Sequence, residues 1–162
     1  MKRQISIADA LFGVGGVLTF LFSFFTFIGY GNYGWSAWGK SNFPIATIPA
    51  VLALFGVVLV IFDLFGVNVK LPEKVLTLTW PQIRMTWGIT SAVLMLGFLI
   101  LDKGQAHLSF GGWVMLIGSL GMAAGSIMKV LGKGTDTLTL PTNPAPSATP
   151  PPPPPPPDSP AA

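Results

Sequence analysis

Four long apolar runs, separated by short polar gaps, govern this chain: residues 10–28, 45–65, 83–101 and 108–131. The first contains no charge. The second is interrupted by Pro49 near its start and Asp63 near its end. The third reaches back across Arg84, whose charge can snorkel to an interface, and the fourth carries Lys129 near its end. None alternates apolar and polar residues as a half-buried strand would. Four strands also cannot close a barrel, which would leave backbone groups unpaired in lipid. A hydrocarbon core of about 30 Å takes about 20 apolar residues in a helix. The pattern predicts an all-α fold: a four-transmembrane-helix bundle over residues 1–134, then a disordered Pro-rich tail over 135–162.

Composition supports lipid as the solvent. Only 9% of residues are charged and 51% are hydrophobic, whereas soluble domains carry about 25% charged residues. The few basic residues are sorted between alternate gaps, which sets orientation. Lys2 and Arg3, then Lys70, Lys74 and Arg84, then Lys129 and Lys133 fall on one side, against Lys40 and Lys103 on the other. Both termini are therefore expected in the cytoplasm of a multi-pass plasma-membrane protein, with run one as an uncleaved first span. The net charge of +3 reads as this bias, with no nucleic acid as partner.

The gaps differ in character. The first outer gap, residues 29–44, sets Tyr30, Tyr33, Trp35 and Trp38 among glycines. Two readings stand: an interfacial aromatic belt, or a structured lip over the bundle able to bind. Trp80, Trp87 and Trp113 lie near the ends of their runs as further interfacial aromatics. In the inner gap Val75, Thr77 and Thr79 alternate with Leu76, Leu78 and Trp80, so an extended or surface-lying segment precedes Pro81, which opens the third helix. The second outer gap is short and makes helices three and four an antiparallel hairpin.

Glycine spacing predicts how the helices pack. Gly111, Gly118, Gly125 and Gly132 recur every seven residues, and Gly121 with Gly125 forms a Gly-x-x-x-Gly pair. Such a stripe lets helix backbones approach in lipid. In the first helix Asp9, Gly13, Gly16 and Ser23 share a face, so helices one and four are expected to meet along it.

Residues able to carry chemistry are few. Asp63 is the acid within the body of an apolar run, and intramembrane ionisable groups are ion or proton candidates. Its place two residues from the span end, within reach of headgroup water, weakens that default and favours an interfacial acid. Asp9 follows Ser6 at capping-box spacing and suits the start of a helix. His107 is the single histidine and there is no cysteine. That excludes disulfides, thiolate metal sites and cysteine catalysis, and it leaves His107 without the further His or Cys ligands a zinc site takes. No Gly-x-Ser-x-Gly elbow, P-loop or pair of inward carboxylates is present, so neither enzyme activity, a cofactor nor a metal is expected.

Between Pro141 and Pro160 there are 12 prolines, eight of them consecutive from Pro150 to Pro157. That run forms a polyproline II rod of roughly 25 Å at about 3.1 Å per residue. It is either an inert extension or a docking peptide for a polyproline-binding cytoplasmic domain.

The layout, with Ser23-Phe24-Phe25-Thr26-Phe27 followed by Tyr33-Gly34-Trp35-Ser36-Ala37-Trp38, resembles a loose group of uncharacterised actinobacterial four-span membrane proteins. Those have a Gly/Trp-rich first outer loop and a Pro-rich tail. The resemblance implies a fold and no catalytic residues. The expected function is a non-enzymatic scaffold or assembly component of the cell envelope, with lipid and other membrane proteins as partners. The alternative is a small transporter or channel component.

Overall fold

A computed structural model of the chain describes residues 4–42, 44–65, 74–75, 77–101, 104, 106–134 and 136–139. The chain is mostly helical, with four helices and small sheets at both ends of the bundle. The all-α expectation is corrected to that extent. Lys2, Arg3, Lys70 and Lys103, which enter the orientation argument, and the proline run lie outside the described residues.

Helix α1 spans Ile7–Phe22. Ser6 caps it from an extended conformation, its Oγ accepting from the Asp9 N–H at 3.1 Å. The helix stops well short of residue 28, which corrects the first expected span. Backbone bonds from Ser23, Phe24 and Phe25 tighten its last turn into i→i−3 geometry. The chain then runs into strand β2, Thr26–Tyr30. A Thr-Phe-Ile run favours the pleated conformation, and Gly31 at φ +54° lets the chain reverse in a two-residue hairpin loop. Strand β3 (Tyr33–Ser36) pairs with β2 on one side, and β6 (His107–Leu108) pairs on the other. Apolarity alone suggests helix for this segment; the partners that make it a strand lie in the gap that it enters and in the gap before α4.

Helices α2 (Thr47–Phe65), α3 (Trp80–Ile100) and α4 (Phe110–Val130) fall within about three residues of the ends predicted for them. The two-residue strands β4 (Lys74–Val75) and β5 (Leu78–Thr79) form a hairpin ahead of α3. The Gln82 side chain reaches back to the Thr79 N–H at 2.9 Å, with Pro81 in the first turn. The four helices form a ring in which α1 and α3 each pack between α2 and α4. The α1–α4 seam is the most extensive and α2 meets α4 only slightly.

The two ends of the bundle are finished differently. At one end β1 (Gln4–Ser6) pairs antiparallel with β7 (Thr137–Thr139), so the chain is still paired beyond residue 134. At the other end the β3-β2-β6 sheet covers the helices as a cap. The register of β2 slips at Phe27, whose ring drops fully buried into a core with Met95, Phe98, Met115 and Leu116. A second cluster of Phe12, Ala53 and Met122 fills the half nearer the termini. Facing outward are Val14, Phe55, Val93, Ile117 and Leu131, all more than half exposed. Helices α3 and α4 are each long and apolar enough to cross a membrane; α1 and the Thr47–Asp63 part of α2 are shorter apolar helices.

Candidate functional site

Each helix carries one charged residue: Asp9 in α1, Asp63 in α2, Arg84 in α3 and Lys129 in α4. α1 and α3 begin, and α2 and α4 end, at the end that holds the termini. All four charges therefore meet there. Lys129 Nζ lies 2.5 Å from both carboxylate oxygens of Asp9. The Arg84 guanidinium spans two acids, reaching Asp63 Oδ2 at 2.6 Å and Asp9 Oδ1 at 3.4 Å. Ser6 Oγ donates to Asp9 Oδ2 at 2.6 Å. Two acids and two bases leave the cluster formally neutral.

Burial is uneven across it. The Arg84 side chain is 10% exposed, that of Asp9 19%, and that of Asp63 63%. Lys129 sits in the last turn of α4, where a cation complements the helix dipole, whereas Arg84 sits near the start of α3, where it does not. The acids hold Arg84 in place, and it turns inward instead of snorkelling. Its Nε is buried and makes no hydrogen bond. Beside it, Asp9, Ser126 and Lys129 help line a cavity of about 10 Å³, room for about one water.

The glycines divide between two seams. A Cβ at Gly118 would lie 2.5 Å from Thr19 Oγ1 and 2.7 Å from the Gly15 carbonyl oxygen. One at Gly125 would lie 2.6 Å from Ala8 O and Phe12 N, and one at Gly111 2.7 Å from Thr26 O. These three stand against α1 or the strand that follows it. Gly121 is looser, with nothing nearer than 3.6 Å. Gly13 and Gly16 turn chiefly to Val60 and Val57 of α2, so the expectation that they meet α4 is corrected. The α1 face on α4 is Ala8, Phe12, Gly15 and Thr19, spaced at i, i+4, i+7 and i+11, a stripe available from the sequence but passed over for the more conspicuous glycines.

At the capped end, Trp38 Nε1 donates to Ser23 Oγ at 3.0 Å, and the Ala37 N–H to Ser23 O at 3.1 Å. Asn42 Nδ2 donates to Ser36 O at 2.7 Å, and Thr47 Oγ1 to Ala37 O at 2.8 Å. The gap is thus a folded lip tied to α1 and α2. Its rim still exposes aromatic rings, with Tyr33 at 75% and Tyr30, Trp35, Trp38 and Trp113 between 42% and 48%. Trp80 opens α3 near the opposite end, and the Trp87 ring lies 6.3 Å from that of Phe55. The exposed His107 packs its ring over Gly29 in the cap. Among the described residues no three His, Cys, Asp or Glu side chains are grouped to hold a metal.

In the sequence Arg84 and Lys129 stand as orientation signals, and their membership of a site shows only once the helices are packed. The available signal was the sign pattern: acids alone on the first two helices, bases alone on the last two. Comparison with protein-family models, curated proteins and solved structures gives no match.

Proposed function

We propose that the chain is a four-span plasma-membrane protein with both termini in the cytoplasm, acting as a non-catalytic scaffold or assembly component. The observation that carries this reading is the convergence of each helix's single charge at one end, while the outward faces stay apolar. In lipid, backbone and charge must be satisfied within the protein. At about 1.5 Å per residue, α3 and α4 match a core of about 30 Å, and α1 falls short at roughly 24 Å. The backbone of β2, paired on both sides, continues it without exposing unsatisfied groups. The Phe27 plug closes the capped end, which favours a scaffold over a conduit.

The specific observation on the other side is a pair of fully buried hydroxyls, Ser91 and Ser119, that make no hydrogen bond. They keep the reading as a small transporter or channel component alive. The Cys-free chain makes the topology directly testable. Cysteine at Tyr33 should react with an impermeant maleimide on intact cells, and cysteine at Lys133 only after permeabilisation. Equal labelling of both would defeat the four-span, termini-inside arrangement. Solute flux by the purified protein in liposomes would move the function to the transporter reading.

A further inference from the structure

Two concavities meet at Asp9. One is an open apolar groove of about 430 Å³ between α1 and α2, with Ala10, Gly13, Val14 and Val17 on one side and Val57 and Ile61 on the other. From Asp9 to Leu18 it climbs roughly 14 Å at about 1.5 Å per residue. That is close to half of a hydrocarbon core of about 30 Å. The second is a pocket of about 250 Å³ at the end where β1 and β7 pair, lined by Ser6, Ala8, Asp9, Lys129, Lys133 and Gly134. Lys129 already neutralises Asp9, so the exposed Lys133 leaves this pocket one positive charge in excess.

We propose that the two together hold one anionic phospholipid of the cytoplasmic leaflet. Its phosphate lies against Lys133 and Lys129, and one acyl chain lies in the α1–α2 groove. The site rests on the membrane-spanning reading above. Depth argues for a lipid over a partner helix, because the groove ends at mid-depth, where an acyl chain of one leaflet ends. A crossing helix would need a seam along the full span. Charge argues for an anionic headgroup, since a zwitterionic one would bring its own cation toward Lys133. Basic residues at the cytoplasmic ends of membrane helices attract anionic headgroups on the same electrostatic grounds.

The test uses the full chain purified in detergent and offered equimolar phosphatidylglycerol and phosphatidylcholine of identical acyl chains, with retained lipid read by native mass spectrometry. Phosphatidylglycerol should be retained about fivefold over phosphatidylcholine, one excess charge's worth. Lys133→Gln should bring that ratio toward unity. Val14→Trp, at a position 60% exposed on the groove wall, should reduce retention of both lipids with unchanged far-UV circular dichroism. Excess inorganic phosphate should leave the bound lipid in place. The proposal is overturned by equal retention in the parent protein, by a preference that survives Lys133→Gln, or by full retention in Val14→Trp. Displacement by phosphate alone would likewise overturn it, marking a bare anion pocket. Should the chain be recovered from aqueous lysate without detergent, the membrane reading itself fails; equal lipid retention by a detergent-requiring protein defeats the lipid site alone.

Discussion

Alanine at Gly125 and at Gly121, introduced one at a time, separates close helix contact from the general frequency of glycine in apolar helices. A Cβ at Gly125 would stand 2.6 Å from Ala8 O and Phe12 N, and ordinary contact begins near 3.4 Å. The α1 and α4 backbones must therefore part by roughly 0.8 Å. Both obstacles are main-chain atoms, so no rotamer change relieves them. Overpacking of this kind costs about 1–3 kcal/mol. The upper part of that range applies, because parting the helices here also loosens Gly118 against Gly15 and Lys129 against Asp9. Alanine returns about 1 kcal/mol in helix propensity, leaving Gly125→Ala destabilised by about 1–2 kcal/mol. At Gly121 the nearest atoms are 3.6 Å away or farther, so the propensity gain of about 0.5–1 kcal/mol stands alone. The two variants should differ by about 2–3 kcal/mol in opposite directions. A dodecyl-sulfate unfolding titration in mild detergent, followed by far-UV circular dichroism, measures it. Equal midpoints, or a lower midpoint for Gly121→Ala, would refute the close α1–α4 seam.

Arg84→Met removes the one cation shared by two acids and should cost about 2–3 kcal/mol, below the 3–5 typical of a fully buried pair because Asp63 is largely in solvent. Adding Asp63→Asn should recover part of that loss, and strictly additive midpoints would show that the two side chains are uncoupled. Phe27→Ala empties a fully buried ring site 4.7 Å from the Phe98 ring and should cost about 3–5 kcal/mol; a near-parental midpoint would mean the plug is not packed. Ser23→Ala removes the acceptor for Trp38 Nε1, with an expected cost of about 1 kcal/mol and greater iodide quenching of tryptophan fluorescence. Unchanged quenching would remove this hydrogen bond from the account of the cap.

Three of the four helices are legible from the length of their apolar runs, and for α3 also from Pro81, which stands in its first turn. The end of α1 was not legible. Residues 23–28 are as apolar as a helix interior, and what turns residues 26–30 into a strand is pairing with residues 33–36, across a two-residue loop, and with residues 107–108, far along the chain. Apolarity fixes burial and leaves conformation to such partners. The Ser6–Asp9 cap was readable from spacing; the reach of Asp9 to Lys129 and Arg84 was not, because it depends on the order of helices around the ring. The same ring order sends Gly13 and Gly16 to α2 and leaves Gly15 against α4.

The sign pattern gives closure of the ring a physical basis, and the close approach of α1 and α4 gives its order one. In lipid, apolar helix surfaces gain little from meeting each other, so polar groups and close packing decide which helices associate. The α1–α2 half carries two acids and the α3–α4 half two bases, so neither half is neutral alone. Closing the ring pairs Asp9 with Lys129 across the α1–α4 seam and Asp63 with Arg84 across the α2–α3 seam. Arg84 then also reaches Asp9, linking the two pairs across the ring. Placing the halves the other way round would set α2 against α4 and α1 against α3, and would separate the glycine stripe of α4 from the small residues of α1. That order would still set Asp9 beside Arg84 and Asp63 beside Lys129, so the charges favour closure of the ring and the close backbone approach of α1 and α4 selects its order. Once closed, the cluster is formally neutral, and Lys133 stands beside it at the surface, where an anionic headgroup can reach it.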